Sequence, residues 1–266
     1  MEFSIFFLPP PPPPVATLLN RVVANVQYYH ATVPSITAEE AITSSLSQHG
    51  LYRSKSEARA TLRVLHSASG KELTEIRTYL VLDGKPVPAD KKVAVPFEVN
   101  GAFSRIAEVF FAPERAVCYT FTALPQPTPD GSLQLTFVTS PNLPVSCANH
   151  GITLTGLVLL DPTTAQIRHL ERTISSPPLA GQRSVTFISI DYAPVTFGDQ
   201  SVWLPTVFTA ELEHGKGRFV AHYSGYHRYT SSATLLPGVD PPDAQPEEAP
   251  QEAKPIAPAT PPPPSR

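Results

Sequence analysis

Val185-Thr-Phe-Ile-Ser-Ile-Asp-Tyr192 leads through Ala193-Pro-Val-Thr196 and Phe197-Gly-Asp199 to Val202-Trp-Leu-Pro-Thr-Val-Phe-Thr-Ala-Glu-Leu212. Two runs rich in β-branched and aromatic residues flank a Gly-Asp turn, the signature of a hairpin. Within 183–192, Val185, Phe187 and Ser189 oppose Thr186, Ile188 and Ile190. Successive strand side chains point to opposite faces, so apolar groups fall on both. A sheet wet on one side alternates cleanly between apolar and polar. Two apolar faces call for a helix over one and for curling of the sheet.

The flanking sequence extends the pattern. Strands are predicted over 116–124, 132–139, 152–160, 166–174, 183–192, 202–214, 218–226 and 231–236. Tight-turn signals separate them: Pro129-Asp-Gly131, Asp161-Pro-Thr-Thr164, Ser176-Pro-Pro178 and Gly215-Lys-Gly217. Such spacing indicates an antiparallel meander. Upstream, 59–66 and 73–82 also alternate, joined by Ser69-Gly70-Lys71, and Asp83-Gly84 is a hairpin signal. Phe103, Ile106 and Phe110 space as a short helix or turn. Thr37-Ala-Glu-Glu40 matches a capping box, which favours a helix. Ile42-Thr-Ser-Ser-Leu46 fits a strand as well, and the segment stays open.

The cover is predicted at 15–31. Leu18, Val22, Val26 and Tyr29 recur at helical spacing, with Asn20, Arg21, Asn25 and Gln27 opposite. Pro14 suits the start, and Val33 before Pro34 marks the stop.

Of 32 prolines, six run unbroken from Pro9 to Pro14 and eleven lie in 237–266. Fifteen remain for the 222 residues between, an ordinary density. The reading is one domain, 15–236, between proline-rich ends 1–14 and 237–266, both disordered. The tail reads as a spacer or as a docking motif for a partner protein. Only 13 glycines exclude collagen, 41% hydrophobic residues exclude a wholly disordered chain, and 16% charged residues exclude a coiled coil.

The net charge of −3 sits in the tail, and the near-neutral middle offers no basic stripe for nucleic acid. No stretch approaches a membrane span. The apolar run 3–8 is short for a signal peptide. As it stands the chain reads as untargeted and cytoplasmic; a leader upstream of Met1 would make it exported. The two cysteines, Cys118 and Cys147, read as a disulfide in an exported protein and otherwise as two buried thiols.

The motifs of phosphate loops, hydrolase elbows and zinc proteases are absent, so no catalytic residue, cofactor or metal ligand is assigned. His222 and His227, five apart, face opposite sides of a regular strand. The aromatics fit core filling, or the lining of an apolar ligand cavity inside a curled sheet. On the second reading the candidate ligand-binding residues are Phe121, Phe137, Phe187, Tyr192, Trp203, Phe208 and Tyr223. Tyr192 and Trp203 stand at the mouth.

The stretches LLNRVVANVQYYHATVP (18–34), YLVLDGKPV (79–87) and GAFSRIAEVFF (101–111) resemble a group of exported bacterial proteins of uncharacterised function. So do 154–174 and 185–212, most specifically in the Asp161–Thr164 turn and the Val202-Trp-Leu-Pro205 strand start. The pattern is also similar to outer-membrane lipoprotein-sorting (LolA-like) proteins, in which a helix packs into an open β half-barrel whose concave face holds acyl chains. The resemblance implies an α+β, mostly β fold: a curled antiparallel sheet of about 9–11 strands on one long N-terminal helix. It further implies a non-enzymatic periplasmic carrier for a lipid or a lipidated protein. The alternative is a structural or protein-interaction module of the envelope.

Overall fold

A computed structural model describes residues 14–48, 51–66, 72–89, 91–142, 147, 153–174, 185–229 and 254–255. The strand predicted at 231–236, the end 1–13 and the tail apart from Lys254–Pro255 lie outside these residues.

Helix α1 (Val15–Thr32) buries Leu18, Val22 and Val26, the stripe its periodicity demands, and ends where Val33 precedes Pro34. Four strands follow: β1 (Ile36–Gln48), β2 (Leu51–His66), β3 (Leu73–Leu82) and β4 (Lys85–Pro86). The chain then crosses through α2 (Ile106–Phe111) and α3 (Pro113–Ala116). A second run comprises β5 (Tyr119–Ala123), β6 (Leu133–Thr139), β7 (Leu154–Leu160), β8 (Ile167–Ile174), β9 (Val185–Phe197), β10 (Gln200–Leu212) and β11 (Gly217–Arg228). All pairings are antiparallel, in the order β4-β3-β2-β1-β11-β10-β9-β8-β7-β6-β5. Eleven strands thus form one open sheet with β4 and β5 at its edges. A two-residue β12 (Lys254–Pro255) pairs with Val195 and Thr196 of β9.

The sheet curls. Flat, the six spacings from β11 to β5 would span about 29 Å. Phe103 packs on Tyr223 of β11 at 5.0 Å between centroids, and Phe111 on Phe121 of β5 at 5.7 Å. Only seven residues lie between Phe103 and Phe111, and the stretch bridges less than about 20 Å. Both strands can meet so short a segment only if the sheet wraps around it.

The open segment 36–48 is a strand. It pairs on one side with β2 and on the other with β11. Two ladders outweigh a local capping box that lacks tertiary support. The residues at 116 and 117 belong to α3 and its cap rather than to a strand.

Pro205, in the predicted strand start 202–205, sits well inside β10. The register slips between Pro205 and Val207, and a bulge spares the donor that proline lacks. Pro194 is accommodated differently: β8 pairs with β9 no further than Asp191.

A second bulge, between Thr37 and Glu39 opposite Ser224–His227, changes the parity of β11. Gly225 there has φ +57°, a conformation that costs glycine little. Tyr223 and Tyr226 consequently both point inward. His222 and His227, read as opposed on a regular strand, fall on one side for the same reason.

Candidate functional site

The helices cover the concave face. Polar groups on α1 dock on the β7–β8 turn: Arg21 Nη2 donates to Thr163 O, and Asn25 Nδ2 to Thr164 O at 2.9 Å. Asp161 shapes that turn by accepting from the amides of Thr163 and Thr164 at 3.0 and 2.8 Å. The Asp161–Thr164 stretch is therefore the seat of the helix.

Beneath α2 the aromatics interlock. Phe110 lies 4.8 Å from Phe137, and Tyr119 and Phe121 lie within 6 Å of the same ring. Phe208 is wholly buried against Phe219 at 6.0 Å. Tyr223 is buried under Phe103. Half-buried Phe187 stands opposite Thr173 of β8 and Glu211 of β10. Of the seven candidate ligand-binding residues, Phe121 and Phe137 thus share one aromatic cluster. Tyr192 and Trp203 come together elsewhere.

Tyr192 and Trp203 line a cavity of about 40 Å³ between α1, the residues before α2, and strands β8 to β10. Val26, Tyr29, Phe103 and Ile167 complete its apolar walls. The hydroxyls of Tyr29 and Tyr192 are buried and have no hydrogen-bond partner among the described residues. Burial raises the pKa of both phenols, and the nearby Glu75 carboxylate raises it further, so both remain protonated donors.

Two larger spaces adjoin. One of about 340 Å³ shares Val26 and His30 and runs past Gln27, Ala31, Ala112 and Pro113. A polar one of about 360 Å³ meets it at His30 and Glu108 and is lined by Glu72, Glu75, Asn100 and Arg105. Each reaches the lower end of the range for small-molecule sites, roughly 300–1,000 Å³, which the inner cavity does not. His30 stands at the junction of all three. Burial lowers its pKa, partly offset by Glu108 at 3.9 Å, so its ring is neutral near pH 7.

The segment before α2 is tied down by charged groups of β1 and β3. Glu75 accepts from the amides of Gly101, Phe103 and Ser104 at 2.8–2.9 Å. Arg77 forks onto Glu40 at 2.5 and 2.8 Å, and also donates to Glu98 and Asn100, both at 2.6 Å. Burial alone would lower the Arg77 pKa, but the paired Glu40 carboxylate raises it and keeps the guanidinium charged. Tyr79 donates to Glu98 at 2.8 Å, and Ser44 Oγ both donates to Phe97 O and accepts from Phe97 N.

Sequence reasoning assigned none of these residues. The signal was present: Glu75, Arg77 and Tyr79 share one face of β3, with Glu98 and Asn100 in the crossing segment. The apolar-inward rule would instead bury Ile76 and Leu80, which are 37% and 51% exposed on the outer face.

Among the described residues, no group of three His, Cys, Asp or Glu is placed to hold a metal ion. His169 lies between two acids, 2.6 Å from Asp191 and 2.9 Å from Glu171. Both ring nitrogens are engaged by carboxylates, which leaves neither to activate a nucleophile. Cys118 and Cys147 are joined in a disulfide, with S–S 2.00 Å and Cα–Cα 5.5 Å. No described helix is long and apolar enough to cross a membrane.

No family model and no curated protein matches the chain. Among solved structures it is similar to a putative outer-membrane lipoprotein-sorting protein domain from Vibrio parahaemolyticus, at 13% identity and TM-score 0.46, over 81% of this chain and 95% of that one. It is also similar to a DUF1329 family protein from Desulfovibrio piger, at 12% identity and TM-score 0.42, over 83% and 95%. A third is a LolA superfamily protein from Nitrosomonas europaea, at 12% identity and TM-score 0.34, over 82% and 94%. The likeness to lipoprotein-sorting proteins is a loose one.

Proposed function

We propose that this protein is a non-enzymatic binding or carrier protein for an apolar, acyl-bearing ligand, taken up between α1, the crossing segment and the concave face. The observation that carries the reading is the apolar cavity at Tyr29, Tyr192 and Trp203, which shares Val26 and His30 with a groove of about 340 Å³. A well-filled core seldom leaves two buried hydroxyls unmatched beside an aromatic wall. The cover suits a carrier. It is a short helix of six residues, preceded by a segment held through polar contacts that can re-form with water. The Cys118–Cys147 bond fits an oxidising compartment, and we place the protein in the periplasm or otherwise outside the cytoplasm. In this reading 15–236 is the binding domain, and 237–266 is a spacer or a contact for an envelope partner.

A second reading, an envelope interaction module without a small ligand, draws on the pairing of Lys254–Pro255 with β9. It also draws on the small size of the inner cavity. Native mass spectrometry of protein recovered from its own envelope fraction separates the two. The carrier reading expects a species heavier by one acyl lipid or lipidated peptide, reduced to the bare chain by organic extraction. Bare chain alone in every preparation supports the interaction module.

A further inference from the structure

Tyr29 and Tyr192 point to the chemistry of the ligand. The fold satisfies comparable phenols nearby: Tyr79 donates to Glu98, and Tyr226 to the Pro205 carbonyl. Tyr29 and Tyr192 alone among the described tyrosines carry buried hydroxyls without a partner, and both line the one cavity. A buried donor left unmatched is destabilising, and a pair of them on an apolar wall is costlier still. The cavity of about 40 Å³ has room for about three waters at roughly 10–15 Å³ each, enough for a carbonyl group and its neighbours but not for a chain.

We propose that Tyr29 and Tyr192 donate hydrogen bonds to the carbonyl oxygen of a neutral acyl group, an ester or an amide, whose chain runs past Val26 and His30 into the adjoining groove. This assignment rests on the carrier reading. Electrostatics selects the neutral form. The Glu75 carboxylate acts on both phenols, and the same field disfavours a ligand carboxylate or phosphate at that spot. His30 is neutral and supplies no compensating charge. The Asn25 amide is committed to Thr164 O. The chain end of the ligand meets Val26, Ala31, Ala112 and Pro113, which suit methylene groups, in a groove that Gln27, Glu108 and Glu114 also line.

Isothermal titration calorimetry on the full chain tests the assignment with three probes: 1-monodecanoylglycerol, N-decanoyl-diglycine amide and decanoate. The expected result is that at least one neutral probe binds about tenfold or more tightly than decanoate. A doubly substituted Tyr29→Phe/Tyr192→Phe protein should lose about tenfold for that probe and little for decanoate, the effect of two hydrogen bonds. Preference for the glycerol ester indicates a free lipid, and preference for the amide an acylated polypeptide. Decanoate binding as well as both neutral probes overturns the proposal, even if the variant fails to fold. So does unchanged neutral-probe affinity in a folded double variant, which would leave the hydroxyls to bound water. Binding of none of the three removes the carrier reading itself, and the assignment with it.

Discussion

Glu40 and Arg77 meet with 0% and 4% of their side chains exposed, so their desolvation is nearly complete. Removing Arg77 strands the buried Glu40 carboxylate, whereas Arg77 without Glu40 keeps Glu98, so Arg77→Met should lower stability by about 3–5 kcal/mol in urea unfolding. The paired change Glu40→Leu/Arg77→Met should cost much less, because neither charge is then orphaned. A single-variant loss below the paired one would contradict this. At Gly156 an added Cβ would lie 2.1 Å from the Phe137 ring and 2.3 Å from Glu171 O. Gly156→Ala should therefore destabilise by about 1–3 kcal/mol, read from the same unfolding curves. His169 has a raised pKa, chiefly through its hydrogen bond to Asp191, with Glu171 adding to it against a desolvation penalty. Its contribution to stability is fully present below the unfolded value near 6.5 and is lost as pH rises through the higher folded value. His169→Gln should flatten the stability profile in that window, and an unchanged slope would exclude the assignment. Sequence reached Tyr192 and Trp203 because aromatics flanking a Gly-Asp turn stand out. It did not reach Tyr29, which reads as one more member of an apolar helix stripe until it is found lining the cavity with its hydroxyl buried and unpartnered.

Among the elements, α1 was legible because its 3.6-residue stripe needs no knowledge of its neighbours. Strand β1 was not, because Thr37–Glu40 imitates a helix start and only pairing with β2 and β11 resolves it. The inward side of β3 was hidden for a related reason: alternation identifies two faces without saying which is covered. Glu75 then anchors the residues before α2 through three amides. Glu75→Ala should speed hydrogen exchange at Gly101, Phe103 and Ser104 while leaving the central strands protected. Equal protection in variant and parent would show that the carboxylate is not the tether. The disulfide closes a separation of 29 residues. On the chain-entropy model a loop of that size is worth about 3–4 kcal/mol. Cys118→Ser/Cys147→Ser should show a loss of that order in chemical denaturation, and indifference to reductant in the parent protein would argue against the bond.

At the scale of the molecule, the meander and its cover follow from turn spacing, from strands apolar on both faces, and from a single amphipathic helix. The curl was expected from strands apolar on both faces; its extent required the structure, since it depends on how far Phe103 and Phe111 reach across the sheet. So did the degree of filling: α2 occupies the face beneath which Phe121 and Phe137 lie, and the cavity contracts to the Tyr29–Tyr192–Trp203 end. On the proposed carrier reading, the head of a ligand held in the cavity lies beside Trp203. Trp203 is the chain's single tryptophan, so its emission reports on the cavity without labelling. The most direct measurement is quenching of that emission by an acylglycerol carrying a doxyl spin label close to the carbonyl end of its chain. The account predicts saturable quenching at one equivalent, reversed by the unlabelled lipid; emission unaffected by the probe, or quenched without saturation, would contradict it.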